Sequence, residues 1–128
     1  MEESKSLWPK IELEGNTTPR SILAEQATEL SSMTNNVLKG QIYRQSMSSE
    51  TSLNFGLKIV APALNNFTIL LLHIQYGLID FYPVAIIYDG NVEEFNDEMA
   101  FREELRRIFN SPTTIKVIKS LYAQSVDE

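Results

Sequence analysis

The stretch Ser52-Leu53-Asn54-Phe55-Gly56-Leu57-Lys58-Ile59-Val60-Ala61 decides the fold. Leu53, Phe55, Leu57, Ile59 and Ala61 fill the odd positions with apolar side chains, and Ser52, Asn54, Gly56 and Lys58 fill even ones. A period of two gives a strand one face on a core and the other in water. Pro62 closes the strand because proline has no N–H to give a ladder. Leu64-Asn65-Asn66 then turns the chain into a second run, Phe67 to Tyr76, with Leu70, Leu72, Ile74 and Tyr76 on one face and Phe67, Ile69, Leu71, His73 and Gln75 on the other. The middle of this run is apolar on both faces, which places it inside a sheet, covered on both sides or lying at a subunit contact. A strand over 82–88, restricted at its start by Pro83, ends at Asp89-Gly90-Asn91. On the other side, polar Gln41 to Met47 reads as an edge strand, and Ser48-Ser49-Glu50-Thr51 as the turn after it. The centre of the protein is therefore an antiparallel meander of four strands.

Helices flank the meander. Thr18-Pro19 is an N-cap followed by proline at the first helical position. From Ile22 the residues Leu23, Ala27, Leu30, Met33, Val37 and Leu38 recur at spacings of three and four, with Gly40 as the expected left-handed stop. Near the other end, Asn96 is placed to cap a helix over 97–109 whose first turn is acidic and whose last turns carry Arg102, Arg106 and Arg107. Asn110-Ser111-Pro112 interrupts it and recaps a final helix bearing Ile115, Ile118 and Tyr122. The class is α+β: an N-terminal helix, a four-stranded antiparallel sheet and two C-terminal helices packed on it. Residues 1–17 read as a loose arm, with Ile11 to Leu13 as a short edge strand at most, and 18–128 as a single domain.

Composition narrows the chemistry. The 128 residues contain no Cys, which excludes disulfides, a thiol nucleophile and thiolate metal sites. Eleven basic against seventeen acidic residues leave a net charge of −6, which repels a polyanion, so nucleic acid is not an expected partner. The longest apolar run is too short for the roughly 20 residues of a membrane helix. Met1-Glu2-Glu3-Ser4-Lys5 is polar with no apolar stretch behind it, the pattern expected of a cytoplasmic chain.

Few constellations carry chemistry. His73 is the single histidine, which rules out a two-His metal site, and no nucleophile-elbow or phosphate-loop sequence occurs. Neither catalytic residues, a cofactor nor a metal site is expected. The carboxylates Asp89, Glu93, Glu94, Asp97 and Glu98 lack the calcium-loop spacing and read as compensation of a helix dipole. Arg102, Arg106 and Arg107 lie at helix-pair distances from Glu98, Glu103 and Glu104. What remains is an aromatic-rich sheet. The reading is a non-catalytic protein-interaction module that binds a partner or a second copy of itself, as a homodimer, through His73, Gln75, Tyr76, Leu71 and Tyr82 on or beside the third strand. Its rival is a small-ligand binder or enzyme with a pocket between sheet and helices, built on His73, Gln75, Tyr76 and the acidic run near Asp89.

Overall fold

A computed structural model describes residues 6–45 and 51–127. The expected turn at 48–50, the end of the first strand at 46–47 and the first five residues of the arm lie outside them. The fold is α+β: helix α1 (Pro19–Met33), strands β1 (Lys39–Gln45), β2 (Ser52–Ala61), β3 (Phe67–Gly77), β4 (Val84–Tyr88) and β5 (Asn91–Phe95), then helices α2 (Glu98–Phe109) and α3 (Pro112–Val126). The strands form one antiparallel sheet in the order β1-β2-β3-β4-β5.

The sheet thus has five strands, not four. Asp89 and Gly90 both have positive φ (52° and 79°), so they form a two-residue hairpin turn rather than a break. The turn returns the chain as β5, along which Glu93 pairs with Ile86 and Phe95 with Val84. The acidic run at 93–94 therefore belongs to an edge strand, where charge blocks further strand pairing.

Helix ends follow their caps. Thr18 accepts a hydrogen bond from the Ser21 N–H (3.0 Å) while the Ser21 hydroxyl accepts from the Thr18 N–H (3.1 Å), a reciprocal capping box. At the other end α1 stops at Met33, seven residues before the expected glycine. Thr34, buried, accepts from the Leu38 N–H (3.2 Å), and Asn35 and Asn36 take positive φ to turn the chain. Gly40 instead lies within β1, opposite Ile59, where its missing side chain admits the backbone of Ala27. Asp97, one residue beyond the predicted Asn96, caps α2 through the Ala100 N–H (2.8 Å), and Ser111 caps α3 with Pro112 at the first position. Arg102 pairs with Glu98 (2.9 Å), Arg106 with Glu103 and Arg107 with Glu104, all along α2.

All three helices pack on one face of the sheet. Ile22, Leu23 and Ala27 of α1 and Phe101, Leu105 and Ile108 of α2 bury against Phe55, Leu57, Leu72, Ile74, Val84 and Ile86. A second cluster joins Leu121 of α3 to Leu38, Ile59 and Ala61, with Leu30, Ile69 and Ile118 half-buried around it. Of the core the alternation implies, Leu57, Ile59, Leu72, Val84 and Ile86 are buried, but Leu70 is 42% exposed.

A bulge in β3 explains Leu70. Leu57 pairs with Leu72 but Lys58 pairs with Leu70, so Leu71 is the extra residue and the phase of the strand reverses across it. Ile69 and Leu71, expected on the face opposite Leu72, turn toward the helices and pack in their core, and Leu70 turns away.

Candidate functional site

The other face of the sheet carries no helix among the described residues. Strand pairing fixes its rows: Tyr43, Gly56, His73, Ile87 and Val92 lie side by side across all five strands, and Gln45, Asn54, Gln75, Ala85 and Glu94 form the row beside them. Gln41, Lys58 and Leu70 make a shorter third row.

Gly56 organises the centre of this face. A side chain there would collide with the Tyr43 ring, so the ring lies across the strand in the space that glycine leaves. Lys58 Nζ sits 4.1 Å from the centre of that ring, a cation over an aromatic face. On the far side the Tyr43 hydroxyl meets His73 Nε2 at 2.6 Å, with the two rings edge-on at 5.9 Å. His73 is half-buried, and burial lowers its pKa from the ordinary 6.5 because the imidazolium loses hydration there. At neutral pH the ring is therefore uncharged, with Nε2 able to accept from the Tyr43 O–H. Gln75 hydrogen-bonds the Ser52 hydroxyl (3.4 Å) at one corner of a shallow hollow that Val92 and Glu94 also line.

The sequence-predicted site residues divide between the two faces. His73 and Gln75 lie on the helix-free face. Tyr76 is buried on the helix side, stacked on Phe55 at 6.0 Å and edge-on to Phe81 at 6.0 Å. Burial raises its hydroxyl pKa, opposed by hydrogen bonds from the Arg20 backbone and Thr18. Leu71, on the bulge, also faces the helices. Tyr82 packs against the same core, its buried hydroxyl without a hydrogen-bond partner and its pKa raised first by burial and then by Glu98. The residue missed was Lys58; like Tyr43, it is separated from His73 in sequence and brought beside it by register.

A cavity does lie between sheet and helices, about 380 Å³ in volume, but it is not the one expected. Its floor is Leu57, Ile59 and Leu71, its walls are α1 and α2, and α3 closes one end with Ile118. His73, Gln75, Tyr76 and the run near Asp89 take no part in it. Among the described residues, no three His, Asp or Glu side chains converge as a metal site would need, and no helix is long and apolar enough to cross a membrane.

The buried-imidazole geometry sets a pH response. A lowered folded-state pKa means that the unfolded chain binds the proton first, so the contribution of His73 is neutral above about pH 6.5 and becomes destabilising as pH falls below it. The single histidine makes this directly visible: its Cε1 proton resonance should titrate with a midpoint below 6.5, and a midpoint at that value would mean that the ring is open to water.

Comparison with protein-family models, with curated proteins and with solved structures found no match to this chain.

Proposed function

We propose that this chain is a non-catalytic interaction module that docks a protein partner on the helix-free face of its sheet. The observation that supports it is the row Tyr43–Gly56–His73–Ile87–Val92, an aromatic and aliphatic stripe running the width of the sheet between two rows of mostly polar side chains. Mixed apolar and polar surface of this kind is what non-obligate protein interfaces present, with Tyr supplying a dry ring and a wet hydroxyl. Moving Ile69 and Leu71 to the helix side makes the face less apolar than alternation implied. It suits reversible docking of a partner better than an obligate face-to-face homodimer.

The test is affinity capture from the cell of origin, comparing wild type with Ile87→Glu and Val92→Lys. Val92 is 64% exposed, so its substitution should leave the thermal midpoint nearly unchanged. Both variants are expected to lose the co-purifying protein while retaining fold. A partner held equally by wild type and both variants would sink the reading.

A further inference from the structure

Two surfaces of this molecule lack cover, and they match. The first is the arm before α1: Leu7, Trp8 and Leu13 are almost wholly exposed (98%, 79% and 82%) and Ile11 is half-exposed, in a stretch free of helix and strand. Leu7, Pro9, Ile11 and Leu13 occupy alternate positions, so an extended arm presents them along one side. The second is the cavity between α1 and α2, an open trough with the apolar floor described above.

Their dimensions and charges agree. The trough follows α1 from Ile22 to Met33, which at helical rise is about 16 Å. Leu7 to Leu13 in extended form spans about 20 Å. Arg102 and Arg106 line one wall of the trough and Glu29 the other. At the intervening positions the arm carries Lys10, Glu12 and Glu14, opposite in sign to Glu29, Arg102 and Arg106 of the trough walls. Arg102 and Arg106 are bonded along α2 to Glu98 and Glu103, but these pairs are open to solvent, where such contacts are worth little and can exchange.

In this structure the arm does not line the trough of its own body. We propose that the arm of one copy lies in the α1–α2 trough of a second copy, and reciprocally, closing a two-fold dimer by arm exchange. This goes beyond the docking of a partner, since the sheet face of both copies stays free for it.

The absence of Cys makes the exchange directly readable. Lys10→Cys places a thiol at the middle of the arm and Gln26→Cys one at the middle of the trough. Mixed and treated with a flexible bis-maleimide, the two single variants should cross-link to each other at a yield well above either variant alone. Full-length wild type should sediment at micromolar concentration as twice the 14.6 kDa monomer, and Ile11→Asp with Leu13→Asp should reduce it to a monomer with an unchanged circular-dichroism spectrum, its thermal midpoint losing only the concentration-dependent part that dimerisation adds. Four results would overturn the proposal: a wild-type monomer, a dimer indifferent to the two aspartates, no cross-link in the mixture, or a cross-link that forms within a single chain of the double variant Lys10→Cys with Gln26→Cys and not between chains. The last would assign the trough to the molecule's own arm.

Discussion

Leu72→Ala should lower stability by about 2–5 kcal/mol, read as a fall in the denaturation midpoint with unchanged slope. Leu72 is 2% exposed and faces Leu57, itself 3% exposed, in the layer between the sheet and α1 and α2. Truncation removes apolar surface from that layer and leaves a hole bounded by the sheet, which cannot collapse to fill it. The neighbouring Leu70→Ala is the control. Its side chain is 42% exposed on the helix-free face, so its truncation should cost much less. Equal losses at both positions would show that β3 runs without its bulge.

The same pair of residues marks what a sequence can and cannot disclose. In β2 the polar residues Asn54, Gly56 and Lys58 fix which side faces away from the helices, and its expected limits coincide with those observed. That side is not wet as alternation implied: Asn54, Gly56 and Val60 are buried on it between the neighbouring strands. From Ile69 to Leu72 every residue is apolar, so the pattern has no phase, and an extra residue within it changes which face Leu70 and Leu71 occupy without leaving a trace. A different loss occurred at Asp89-Gly90. Asp-Gly is a hairpin dipeptide, but the strand after it is acidic and mostly exposed, and its charge outweighed the turn signal.

Gly40 shows a third limit. A glycine after an amphipathic stretch can end a helix or let another backbone approach a strand, and only the register with Ile59 decides between them. As for the site, His73 and Gln75 were placed on one face by alternation alone. Tyr43 joined them because β1 pairs across Gly56, a long-range contact that spacing along the chain does not encode.

Gly40→Ala is expected to be the costliest single methyl added to this protein. A Cβ at that position would stand 2.5 Å from the Ala27 carbonyl oxygen and 2.6 Å from its Cα. Both atoms belong to the backbone of α1, so relief requires the helix to lift from the sheet, and with it Ile22, Leu23 and the bond from the Gly40 N–H to the Ser31 hydroxyl (3.0 Å). Overpacking of this kind costs about 1–3 kcal/mol and more where the opposing atoms cannot move. Gly56→Ala offers the contrast, because the atoms it meets are the ring of Tyr43, a side chain that can swing into solvent. Chemical denaturation should therefore show the larger loss for Gly40→Ala. Gly56→Ala should instead release Tyr43 from His73, exposing the imidazole and returning its titration midpoint toward 6.5. If Gly56→Ala proved the more destabilising of the two, Tyr43 would be held by more than the slot it fills, and the helix-free face would be a rigid part of the core rather than a surface ready to meet a partner.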